Sequence, residues 1–171
     1  MSGIIENSPH GERDPGGFRP RILPPVWAGI IGFAMLIVDR TLELQDAVQL
    51  SANVAAALRW PGIAVLVAGT GLSAWAAWGF AAASTPIEPG RVSTTLLVGG
   101  PYRFSRNPIY LGMAIGLVGW AMFLAQPVVL LGPATFVVII TRRIVRHEER
   151  MLAERFGHEY ATLCDRVGRW I

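Results

Sequence analysis

The 171-residue sequence contains no lysine: all 15 of its basic side chains are arginine. Schiff-base chemistry and lysine general bases are therefore excluded for this chain, since arginine keeps its proton at any working pH. The single cysteine, Cys164, excludes an internal disulfide and a cysteine-cluster metal site. Its three histidines, His10, His147 and His158, lack the i, i+4 spacing of a helical zinc pair, so no metal is expected. Charge is scarce too, at 16% of residues against roughly 25% in an ordinary soluble domain. Hydrophobic residues make up 52% and gather in long blocks instead of amphipathic stripes, which speaks against a soluble doubly wound enzyme. The net charge of +3 does not indicate a nucleic-acid partner, because the arginines flank apolar blocks and form no single stripe.

Four uncharged blocks cover residues 26–38, 61–84, 109–126 and 127–141. A transmembrane helix takes about 20 residues, so the second block suffices alone and the others must use their flanks. Pro127 is expected to mark the turn between two antiparallel helices, because proline suits a first helical turn and disfavours helix in the residue before it. Gly112-x-x-x-Gly116 permits close helix approach. Arginines precede the first block, lie between the second and third (Arg91, Arg103, Arg106) and follow the fourth (Arg142, Arg143, Arg146, Arg150). The positive-inside rule then places both termini and the middle loop in the cytoplasm, and the loop of residues 39–60 outside.

The expected fold is an all-α integral membrane helical bundle of about four transmembrane helices with a cytoplasmic C-terminal helical extension. Residues 1–20, rich in Gly, Pro and charge, are expected to form a flexible tail. Residues 21–84 would make two transmembrane helices with an external loop, and residues 85–171 the functional core. Beyond Thr141 the pattern turns amphipathic, so the fourth helix should run on out of the membrane until Gly157 breaks it. A short further helix would then run through Tyr160, Leu163 and Val167.

No block carries an acid, base or histidine in its interior, which disfavours a proton-coupled transporter. Polar and special residues concentrate instead in residues 85–110 and 142–170. In the first region, Gly99-Gly100-Pro101 and Asn107-Pro108 suit tight turns and close backbone approach to a ligand, with Tyr102 and Tyr110 able to stack on a flat base. Taken alone, this stretch also reads as a loop of interfacial anchors. The second region carries Glu148-Glu149, whose plain reading is a solvated helix face with Glu149 paired to Arg146 or Arg150.

The two motifs in this order, Gly-Pro-Tyr-Arg-x-x-Arg-Asn-Pro-x-Tyr-Leu-Gly and then Glu-Glu-x-x-Leu-x-x-x-Phe-Gly-x-x-Tyr, with a helical hairpin between them, resemble the isoprenylcysteine carboxyl methyltransferase family of membrane enzymes. The related phospholipid N-methyltransferases share the outline. The resemblance covers about half the chain, roughly residues 85–171. It implies S-adenosylmethionine bound at the cytoplasmic face, with Thr94, Thr95, Leu96 and Leu97 as a strand-like wall and Tyr102 beside the cofactor. Gly100 would allow close approach, Asn107, Pro108, Ile109 and Tyr110 would lie under it, and Glu148 matches the family's cofactor-binding glutamate. Asn107 stands where many members have histidine. Ile144 stands where the isoprenylcysteine enzymes place a substrate-carboxylate arginine, a role left to Arg143 or Arg146 after a shift in helix phase.

The implied partners are membrane lipids and a lipophilic methyl acceptor entering from the bilayer, with no nucleic acid and no metal. Carboxyl O-methylation is the first expectation, because a carboxylate or thiolate needs no proton removed whereas an ammonium requires a base. Amine N-methylation of a phospholipid, thiol S-methylation and a non-catalytic transporter or assembly module are the alternatives.

Overall fold

The computed structural model describes residues 4–6, 22–44, 50–82 and 95–171. Helix α1 spans Pro24–Leu44 and α2 spans Ala52–Ala82, followed by α3 at Pro108–Leu124. A 3-10 turn at Pro127–Leu130, α4 at Leu131–Ile140, a π-helical turn at Thr141–Val145 and α5 at Arg146–Phe156 form one continuous rod of 30 residues. Helix α6, His158–Arg166, ends the helical part. Strands β1 (Ile4–Glu6) and β2 (Thr95–Leu97) pair antiparallel, with Ile5 opposite Leu96.

The outward faces identify the solvent. Phe33, Val67 and Leu131 are 64%, 65% and 66% exposed, far more large apolar surface than a water-soluble chain leaves uncovered. Three helical segments, Pro24–Leu44, Ala52–Gly79 and Pro127–Phe156, are long and apolar enough to cross a membrane. Helix α3 is shorter, at 17 residues, which is about 25 Å and the lower limit for a span. On α2 the exposed Trp60 lies near one end and the exposed Trp75 and Trp78 near the other. They are about 25 Å apart along the axis, the arrangement of an aromatic belt at each interface. The protein is an integral membrane helical bundle.

Its packing rests on glycine. A Cβ at Gly62 would meet the Gly119 carbonyl and the Phe123 amide at 2.8 Å, and one at Gly69 would run into the backbones of Gly112 and Gly116. Gly62 and Gly69 on α2 thus answer Gly119 and Gly112 on the antiparallel α3, seven residues apart on each helix. Where apolar contact competes with equally apolar lipid, such backbone-to-backbone approach supplies van der Waals contact that larger side chains would prevent. Helix α1 closes the third side: Trp120 donates its indole N–H to the Gly32 carbonyl at 3.0 Å, and Met35 lies over Gly132. Ile31, Leu117, Phe136, Ile140 and Ile144 fill the space between α1, α3 and α4.

Several boundaries differ from the sequence reading. Helix α1 continues past Val38 to Leu44, and α2 starts at Ala52 with Pro61 inside it, so the expected external loop of residues 39–60 is mostly helix. Asp39, expected in that loop, is a buried member of α1. Ile4–Glu6, within the expected tail, form a strand; the other residues of that segment lie outside the described residues. Pro127 does open a helical turn, preceded by Ala125 at φ 56° and an extended Gln126. Gly157, with φ 48° and ψ −115°, ends α5 in a conformation that disfavours any side chain. Val167 is extended and lies just beyond α6, not within it.

Candidate active site

Pro108 starts α3 with a ring that sets φ and removes a donor that the first turn would leave unpaired. That fixes Tyr110 on the first turn, buried and directed at α5, where its hydroxyl donates to Glu148 Oε1 at 2.9 Å. Glu148 is half-buried, and Tyr110 is its sole hydrogen-bond donor among the described residues, so Oε2 is left with no donor. Tyr102 comes from the 3-10 turn Gly100–Arg103 and its hydroxyl reaches the Ala76 carbonyl at 3.4 Å. Burial, and then the nearby Glu148 carboxylate, push the Tyr102 phenol well above its ordinary value, so it acts as a neutral group. Gly100, at φ 57°, passes beneath the Trp75 indole and allows the turn to close onto α2.

The remaining expected site residues surround this pair. Asn107 is buried and donates from Nδ2 to the Arg169 carbonyl at 3.0 Å. The Ile109 carbonyl accepts from Ser73 Oγ at 2.9 Å, tying the start of α3 to α2. Leu96 of β2 is buried against Phe156 and Tyr160, with Leu97 half-buried beside it. Thr95 contributes its backbone to β2, and Thr94 lies outside the described residues. The loop before α3, β2 and the start of α5 therefore converge at one end of the bundle.

Among the described residues, Arg143 and Arg146 do not join that convergence through any hydrogen bond or ion pair; both are exposed. The π turn at Thr141–Val145 changes the helix phase here. Its effect is to bury Ile144 and Val145, at 1% and 0% exposure, in the core, while the arginines stay outward.

Glu149 also departs from expectation. Its partners are neither Arg146 nor Arg150: Arg169 donates Nε to Oε1 at 2.9 Å and Nη2 to Oε2 at 2.7 Å, and Arg106 Nη1 stands 3.3 Å from Oε1. Arg106, which the sequence presents as one more topology arginine, also donates from Nη1 to Tyr160 at 3.1 Å and to Cys164 Sγ at 2.7 Å. Burial pushes the Tyr160 phenol up to about 12 although the Arg106 guanidinium opposes it, so this acceptor is a neutral hydroxyl. None of these partnerships has a signal in local periodicity, because Arg106 and Tyr160 are 54 positions apart.

Two neighbouring carboxylates thus have opposite states. Glu149 is saturated by two guanidinium groups, and Glu148 keeps an oxygen with no donor among the described residues. The chemistry of this set suits a cationic ligand: a carboxylate for an ammonium, with phenol rings close by.

Comparison with known proteins agrees in outline. A family model described as phospholipid methyltransferase matches residues 58–159, more than half of the chain. An uncharacterized protein of Haemophilus influenzae is 30% identical over 63 residues, which is 37% of this chain and the whole length of that protein. The matched residues run from within α2 through the α3–α4 hairpin to the first residues of α6, and so include Tyr102, Arg106, Asn107, Tyr110, Glu148 and Glu149 but not Tyr160, Cys164 or the C-terminal tail. This chain belongs to the phospholipid methyltransferase family and is an integral-membrane methyltransferase.

Proposed function

We propose that this protein methylates a lipophilic acceptor, with S-adenosylmethionine as the donor and the site at the end of the bundle where Glu148 meets Tyr110. The observation that carries the reading is the open oxygen of Glu148 beside its saturated neighbour. When bound, S-adenosylmethionine supplies a methyl group activated by its sulfonium. Glu148 would hold the ammonium of its methionine moiety, with Tyr110 orienting the carboxylate through the 2.9 Å bond. Tyr102, Gly100 and the residues Asn107, Pro108 and Ile109 would enclose the remainder, with the wall of residues 94–97 alongside. These residues position the reactants and exclude water, which is the protein's main task in a methyl transfer.

A groove between α1, α2 and α3 supports the acceptor class. It has a volume of about 540 Å³ and is lined by Gly32, Leu66, Thr70, Gly116 and Trp120, among others. Ser73, which also lines it, hydrogen-bonds the Ile109 carbonyl, which ties this part of the groove to the first turn of α3, the turn that carries Tyr110. A hydrocarbon chain lying there would deliver a polar head to the site without leaving the membrane. In this reading the site and both termini face the cytoplasm, following the arginine asymmetry.

For the head group, the resemblance favours a carboxylate held by Arg143 or Arg146. A second reading, an amine head, is favoured by the burial of Ile144 and the outward position of both arginines. The test is transfer of labelled methyl to prenylcysteine, phosphatidylethanolamine, fatty-acid and small-thiol acceptors by purified protein. Transfer to none, together with no cofactor binding, would replace the enzyme reading with a non-catalytic membrane module.

Arg143→Gln and Arg146→Gln then separate the two head groups. With an anionic acceptor, losing the responsible arginine should raise the acceptor KM by about tenfold, the loss of one charge-assisted contact, while cofactor affinity stays within a factor of two or so. An amine acceptor predicts no loss in either variant, because a permanent cation repels an ammonium head. Acceptor saturation curves with parallel cofactor titrations decide between them.

A further inference from the structure

The C-terminal tail is held against the loop before α3 in two layers. In the first, Arg106 donates its backbone N–H to the Gly168 carbonyl at 3.0 Å, and the Arg169 carbonyl accepts from Asn107 Nδ2 at 3.0 Å and from Ser105 Oγ at 3.3 Å. The second layer is ionic: Glu149 receives the two-pronged bond from Arg169 and lies 3.3 Å from Arg106. The ionic layer is asymmetric. The side chains of Arg106 and Glu149 are 15% and 16% exposed, whereas that of Arg169 is 39% exposed. Arg106 and Glu149 sit on the bundle, and Arg169 is the arm that can lift away.

Each fixed member adjoins a residue assigned to the cofactor, Arg106 next to Asn107 and Glu149 next to Glu148. We infer that Arg106, Glu149 and Arg169 are positioning residues forming a clasp, which holds residues 168–171 against the loop before α3 and so sets how long the cofactor stays bound. This rests on the proposed cofactor site. Opening the clasp removes the acceptor of the Asn107 side chain and leaves the loop held by α2 and by the bonds of Arg106 to Tyr160 and Cys164 of α6, which loosens the wall beside Asn107 without touching Glu148.

The experiment uses full-length protein in detergent, as wild type, Arg169→Gln, Arg169→Lys and Glu149→Gln, with the exposed Arg166→Gln as a charge control. Hydrogen exchange of residues 166–171 reports the tail, and the dissociation rate of S-adenosylhomocysteine reports retention. Arg169→Gln and Glu149→Gln should speed tail exchange and raise the dissociation rate by about fivefold, the upper limit for a partly exposed ion pair. Arg169→Lys keeps the charge without the two-pronged geometry and should fall between. Arg166→Gln should match wild type in both, and the acceptor KM should not change in any variant. Unchanged tail exchange in Arg169→Gln overturns the clasp. Faster exchange with a wild-type dissociation rate overturns its link to the site and leaves a purely structural contact. Wild-type protein that binds no S-adenosylhomocysteine overturns the proposed function, and this inference with it.

Discussion

Glu148→Ala should weaken S-adenosylmethionine binding by about ten- to a hundredfold, the effect of removing one charge-assisted hydrogen bond in a partly dry site. The expectation follows from the difference between two adjacent carboxylates. Glu148 has one oxygen occupied by Tyr110 and the other without a donor among the described residues; both oxygens of Glu149 are taken by Arg169. Glu149→Ala should therefore cost much less affinity, acting indirectly through the tail and Arg106. Glu148→Gln refines the test, since it retains an acceptor for the Tyr110 hydroxyl and removes the charge. If charge on the carboxylate holds the ligand, Gln should be nearly as weak as Ala. Titration calorimetry on the three purified variants measures this. Equal losses in Glu148→Ala and Glu149→Ala would mean that both residues serve folding and that the open oxygen has no ligand.

The second large effect concerns the bundle that supports the site. Gly112→Leu should abolish a stable α2–α3 pair, because even a Cβ at this position would collide with Ser73 and with the Gly69 carbonyl of α2. A clash with a side-chain tip relaxes by rotation, but a clash with backbone requires the helices to separate. Overpacking costs about 1–3 kcal/mol where the neighbours can yield, and here separation also breaks the bond from Ser73 to the Ile109 carbonyl at the start of α3. Gly71→Leu is the matched control. Gly71 lies on the exposed face of α2, and nothing stands within 4 Å of where its Cβ would be. Thermal unfolding in detergent should show a large fall for Gly112→Leu and almost none for Gly71→Leu; similar falls in both would attribute the effect to glycine content and not to the seam.

The spacing of these glycines was present in the sequence, yet the visible pattern was Gly112-x-x-x-Gly116. In the structure Gly112 and Gly119 press on α2, while the place of a Cβ at Gly116 has only ordinary contact with Leu66. A four-residue spacing identifies one helix face without naming what meets it. The partner became evident only when Gly62 and Gly69 of α2 were placed antiparallel to α3. Helix ends were similarly half-legible: Asp39, Arg40 and Glu43 mark the end of an apolar block, and α1 nevertheless runs through them. Charges near a helix end can reach the interface, so the apolar block measures the membrane core and not the helix.

The sequence by itself determined the membrane class, the helical hairpin about Pro127 and the break at Gly157. These depend on costs that act residue by residue: an apolar side chain in water, or a proline or glycine in a given backbone conformation. Only the tertiary structure decided that Glu149 belongs to Arg169 and Arg106 while Glu148 pairs with Tyr110 and, among the described residues, keeps an oxygen with no donor. Successive helical positions point about 100° apart, so one carboxylate turns to α3 and the next to the tail. What each one meets depends on a loop some 40 residues earlier and a terminus 20 residues later, brought together by the reversals at Ala125 and Gly157.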